Sequence, residues 1–137
     1  LQRFLSMDKL DIQQLSASAA IGISAKLTQF SFYFQRCINR EKSSKTWADQ
    51  QLYSIVAEEL LQYNNSYLPT DAKIACICKT NTAASEVRKM VTMAQQRINR
   101  LEEISGGLKN MSYTMSLVIK AQEACEARGC TKHHYST

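Results

Sequence analysis

Five cysteines and two histidines carry most of the chemistry this chain could offer: Cys37, Cys76, Cys78, Cys125, Cys130, His133 and His134. Thiolate and imidazole together are zinc ligands. Structural zinc is usually held by a cysteine pair with two to four residues between its members, matched by a second pair. Cys76 and Cys78 are separated by one residue. On a helix their side chains diverge by about 200°, so they reach one ion only if that turn unwinds. No metal site is therefore expected. His133 and His134 sit in a polar C-terminal stretch that lacks the neighbours a general base needs to hold its ring. Ser105-Gly106-Gly107 is too short to cradle a phosphate and lacks the lysine of phosphate-binding loops. No catalytic residue, cofactor or small-molecule substrate is expected, and the chain reads as a non-enzyme.

An odd number of cysteines leaves one over in a disulfide-bonded chain. Cys37 and Cys125 fall on apolar helix faces, where a reduced cysteine packs as a small hydrophobe. Reduced thiols go with a cytoplasmic location. The alternative is a secreted helical factor stapled by two disulfides. Asn64-Asn65-Ser66 and Asn110-Met111-Ser112 match the glycosylation acceptor pattern on which that alternative leans. The chain opens on Leu1 and not on Met, as expected of a processed chain or of a domain excised from a larger protein.

The net charge of +5 comes from 17 Lys and Arg against 12 Asp and Glu. The densest basic groups are Arg36, Arg40, Lys42 and Lys45, and then Arg88, Lys89, Arg97 and Arg100. Each has acids beside it: Glu41 in the first, and Glu86, Glu102 and Glu103 around the second. Mixed charge of this kind marks solvated helix faces. A nucleic-acid or anionic-lipid surface needs a stripe of one sign, so nucleic acid is not an expected partner. The most apolar stretch, Ile12 to Phe34, is interrupted by Gln13, Gln14, Lys26, Gln29 and several serines. It falls short of the roughly 20 apolar residues that span a membrane.

With one proline and four glycines in 137 residues, long runs pass without a turn signal, which argues for helices and against a sheet. The expected fold is all-α: a single domain over residues 1–137, a three- or four-helix bundle with long, antiparallel, coiled-coil-like helices. The first helix is expected over about 7–40, with Ser6 as a possible cap. Charge is nearly absent between Asp11 and Arg36, so this helix is placed at the centre of the bundle. Arg40 to Lys45 reads as a connection. A second helix, capped by Thr46, runs over 46–63 with Trp47, Leu52, Ile55, Val56, Leu60 and Tyr63 facing inward. Asn64 to Pro69 is a break, and Thr70 caps a third helix over 70–105. Thr80-Asn81-Thr82, all poor helix formers, mark a point where that helix either breaks or runs on.

A ladder follows: Val87, Met90, Ala94, Arg97 (with Ile98 beside it), Leu101, Ile104, Leu108, Met111, Met115, Val118, Gln122 and Cys125. Its alternating steps of three and four keep one side of a helix facing a partner helix. Gly106 and Gly107 lie inside it without breaking its phase. Either they end one helix and a fourth runs over 108–128, or the helix is continuous and carries a penalty of about 2 kcal/mol for two internal glycines. The retained phase favours continuity. Gly129 ends the helix, and 129–137 is a tail.

Methionine adapts to varied surfaces, and Tyr113 and Leu117 widen the apolar stripe beside Met111 and Met115. These four are the candidate partner-binding residues. The functional expectation is a scaffold, adaptor or oligomerisation module. It would dock helices or short segments of protein partners, or a second copy of itself, in an inter-helix groove.

Overall fold

A computed structural model describes residues 15–63 and 67–129. Among the described residues there are three α-helices: α1 over Ala17–Leu60, α2 over Thr70–Thr80 and α3 over Thr82–Ala127. A 3-10 turn, Leu61–Tyr63, follows α1. No strand occurs among the described residues. Among the described residues the all-α expectation is met.

The expected connection at Arg40 to Lys45 is helical. Arg, Glu and Lys are good helix formers, and the inward positions Ile38, Glu41, Lys45 and Ala48 keep their steps of three and four straight through it. The charges there form the solvent face of a helix. Thr46 is no cap: its hydroxyl donates to the Lys42 carbonyl 2.9 Å away, one turn back inside α1. Residues 7–14 of the expected first helix lie outside the described residues, and α1 itself starts at Ala17. Leu15 and Ser16 are not helical, and the Ala19 amide donates to Ser16 Oγ at 3.1 Å, which makes Ser16 the N-cap. Ser6 lies outside the described residues.

α1 is not buried on several faces. Ile21, Phe32 and Tyr33 are all more than half exposed. Between Ala17 and Gln35 its outer face carries one charge, Lys26, and is otherwise built largely from Ser, Thr, Gln and small residues, which do not need burial.

Pro69, not Thr70, occupies the N-cap position of α2, with no side-chain bond there. The Lys73 amide donates to the Pro69 carbonyl at 3.1 Å, and Asp71 places negative charge in the first turn, where the helix dipole favours it. The soft spot at Thr80 to Thr82 is a break. Asn81 leaves the helical basin at φ −83°, ψ 117° and its amide donates to the Ile77 carbonyl. Its side-chain oxygen accepts from the Ala84 amide at 3.0 Å, so one residue closes α2 and caps α3. Its Nδ2 also donates to Glu59 at 3.1 Å, tying the joint to α1.

α3 runs through Gly106 and Gly107 without a break. It ends where expected, at Gly129, whose φ of 72° suits glycine alone.

The described structure divides into two compact units. One comprises residues up to 35 and from 103 onward. Its core is Ala20 and Leu27 of α1 with Leu108 and Met115 of α3, surrounded by partly buried residues such as Ile23, Phe30, Ile104 and Val118. The other comprises residues 36–102. Its core is Val56, Ile77, Cys78 and Ala84, with Leu52, Ile55, Leu60, Tyr63 and Ile74 against it, so α2 packs there on both long helices. In this second unit Arg97 donates to Glu41 at 2.9 Å and Lys42 lies 3.4 Å from Glu102.

The ladder of α3 is displaced over part of its length. In the second unit the inward positions are Ala84, Val87, Val91, Ala94, Ile98 and Leu101, while Met90 and Arg97 are exposed. In the first unit the buried stripe widens to take both sets, with Ile104 and Ser105, Met111 and Ser112, and Val118 and Ile119 all at least partly buried.

Candidate functional site

The four expected partner-binding residues divide between two environments. Met115 has no exposed surface and belongs to the core of the first unit, and Met111 packs against the same core. Both fill the interior there. Tyr113 and Leu117 are 67% and 48% exposed. They stand four residues apart on one outer face of α3, as neighbours one turn apart do.

A stronger apolar surface lies on α1 in the same unit. Phe30, Phe34, Tyr33 and Gln29 line an open cleft of about 410 Å³. Tyr33 and Phe34 meet edge to face, with ring centroids 5.5 Å apart and planes at 82°, the arrangement aromatic quadrupoles favour. Phe32 beside them is 67% exposed. The lack of charge placed this helix at the centre of the bundle, whereas Phe30 and Phe34 pack against the core and Phe32 and Tyr33 are exposed. What would have found them is their crowding: five consecutive residues, Phe30 to Phe34, include four aromatics, more than one inward stripe can take.

Two clefts in the second unit have arginine or lysine among their lining residues. Cys37, Arg40, Glu41, Arg97, Arg100 and Leu101 surround about 310 Å³. Glu41 is bonded to Arg97. No carboxylate among the described residues lies within ion-pair distance of Arg40 or Arg100. The other cleft, of about 550 Å³, is lined by Lys79, Ser85, Arg88, Lys89 and Met93, with Cys78 and Thr92. Lys89 there reaches Glu86 at 3.7 Å.

Cys37, Cys76 and Cys78 carry free thiols. Cys76 and Cys78 both lie on α2, so the helical geometry that argued against a shared ion is the geometry observed. Among the described residues no three metal-ligating side chains gather. Cys130, His133 and His134 lie outside them, as does the acceptor triplet at Asn64. Asn110 is inside α3, where its carbonyl accepts from Thr114. The Tyr63 hydroxyl is 3.8 Å from the Cys76 sulfur. Its pKa is raised by that bond first, then by the charge Cys76 can carry, by partial burial and by Glu59.

No described helix is long and apolar enough to cross a membrane. No family model, no curated protein and no solved structure matches the chain.

Proposed function

We propose that this protein is a non-enzymatic interaction and scaffold module, a coiled-coil-like helical bundle that docks an apolar segment of a protein partner or of a second copy. The observation that carries the reading is the aromatic surface of α1. Phe32 and Tyr33 stand exposed, and Tyr33 lines a cleft with Gln29, Phe30 and Phe34. Large rings presented on a rigid helix give much contact area with little entropy to lose, which is why aromatic residues dominate binding hot spots.

Two further features support it. Inward positions recur in steps of three and four along most of α1 and α3, the pattern that pairs helices. In the second unit Glu41 meets Arg97 and Glu59 meets Asn81, so position rises on one helix as it falls on the other, as antiparallel pairing requires. The free thiols of Cys37, Cys76 and Cys78 fit a reducing compartment, and an intracellular setting, within a larger protein, is the one we propose.

The test is a photo-reactive phenylalanine analogue placed at Phe32, with the same group at exposed Gln50 as control, in the full chain expressed in its own cells. Crosslinks through position 32 and not 50 are expected, and the adduct mass tells a second copy from another protein. No adduct at 32, with a chain that sediments as a monomer at high micromolar concentration, would end the reading.

A further inference from the structure

We propose that the cleft lined by Cys37, Arg40, Glu41, Arg97, Arg100 and Leu101 is a phosphate-binding site that takes a phosphomonoester carried on a partner protein. Three arginines from two helices, Arg40 of α1 and Arg97 and Arg100 of α3, line it with a single carboxylate, Glu41. That carboxylate is already used: Glu41 Oε2 accepts from Arg97 Nε at 2.9 Å. The neighbouring Glu102 is turned to Lys42 at 3.4 Å. Arg40 and Arg100 line the same cleft, and no carboxylate among the described residues lies within ion-pair distance of either. An anion held by both gains charge-assisted bonds in the planar, paired geometry that guanidinium offers.

Charge and shape select the anion. A phosphomonoester carries about −1.5 to −2 near neutral pH and three acceptor oxygens, which matches two uncommitted cations. A carboxylate would leave one of them unbalanced. The cleft volume of about 310 Å³ admits a phosphorylated side chain. A nucleic-acid strand suits it less. No aromatic ring lines it for a base to stack on. Bound Arg97 serves as a positioning residue, because its bond to Glu41 holds one wall of the cleft. That the phosphate is borne by a protein rests on the interaction reading above; the anion site itself does not.

The experiment uses the full chain labelled with nitrogen-15 arginine and follows the arginine Nε–H signals. The probes are N-acetyl-O-phosphoserine amide, N-acetylaspartate amide, inorganic phosphate and a single-stranded oligothymidylate. Saturable shifts of the Arg40 and Arg100 signals with the phosphoserine probe are expected, and none with the aspartate probe. The double variant R40Q/R100Q should lose about tenfold or more in affinity, the weight of charge-assisted bonds, with unchanged far-ultraviolet circular dichroism. R88Q should bind as the parent does.

Failure to saturate with phosphoserine overturns the site. Inorganic phosphate binding as tightly as phosphoserine overturns the protein-borne source. Oligothymidylate moving Arg88 together with Arg40 and Arg100 at equal affinity overturns it in favour of a polyanion face. Crosslinking through position 32 is repeated in R40Q/R100Q. If it persists there while the parent fails to bind phosphoserine, only this inference falls and the interaction reading stands.

Discussion

Gly106→Ala should make the protein more stable, and the sign of that change tests the continuity of α3. Gly106 lies inside the 46-residue helix. Glycine there loses more backbone freedom on folding than alanine would, a penalty of about 0.8–1 kcal/mol. Whether alanine recovers it depends on space. A β-carbon at Gly106 meets nothing within 4 Å, so no clash offsets the gain. The expected stabilisation is about 0.5–1 kcal/mol, a rise in melting temperature of roughly 2–6 °C for a chain of this size.

Gly22→Ala, inside α1 with the same open surroundings, should move the same way. Gly129→Ala should move oppositely. Its φ of 72° is a conformation that adds about 1–2 kcal/mol for a residue with a β-carbon. Urea denaturation followed by far-ultraviolet circular dichroism measures all three. A destabilised Gly106→Ala would refute the reasoning. It would mean that the chain turns at Gly106 with a left-handed residue, and that two helices occupy the span of α3.

Met115→Ala, which empties a position without exposed surface, should lose about 2–5 kcal/mol in the same assay, whereas Tyr113→Ala and Leu117→Ala should stay within about 0.5 kcal/mol. Asn81→Ala removes the cap of α3 and the donor to Glu59 and should lose about 1–2 kcal/mol; Asn81→Asp keeps the cap acceptor but sets a second carboxylate against Glu59, and should recover only part. The pKa of Tyr63 is raised above its ordinary 10.0, so the folded chain holds the phenol proton longer than the unfolded chain does. The stability this contributes is present below pH 10 and lost as pH rises through the folded value, and Cys76→Ala, removing the largest cause, should move the phenolate absorbance of Tyr63 to lower pH. Intact-mass alkylation of native material should find Cys37, Cys76 and Cys78 reactive without reductant; pairing of any of them would shift the balance to a secreted helical factor.

Much of the helical architecture could be read from the sequence because its signals are local. The scarcity of proline and glycine, the break before Pro69, the capping residues around Asn81 and the stop at Gly129 all act within one turn. Other features were read wrongly because a local signal has two meanings. The charged run Arg40 to Lys45 looks like a loop if polarity is taken as irregularity, yet every residue in it tolerates a helix, and the inward steps at Glu41 and Lys45 continue. The uncharged stretch of α1 looks buried if burial is read from missing charge, yet serine, threonine and glutamine are as much at home in water. That Arg40 and Arg100 line one cleft could not be read at all. The two residues are 60 positions apart, and only the register between two helices brings them together.

That register turns on a rotation of one residue. The ladder read from the sequence placed Met90 and Arg97 inward; in the second unit Val91 and Ile98 take those places. One residue is about 100° of helix, enough to exchange an inward position for a flanking one. Val and Ile are better fillers than Met and Arg, so apolar burial decides the exchange. The consequence reaches function. Arg97, turned out of the interior, reaches Glu41 at 2.9 Å and stands at the wall of the same cleft as Arg40 and Arg100. Had it been buried, its charge would have needed a desolvated partner, and breaking such a pair costs several kcal/mol. At the flank the pair is half in solvent and holds position at little energetic consequence. The same choice of inward residues that builds the core of the helix pair therefore sets the arginines free to gather on its surface.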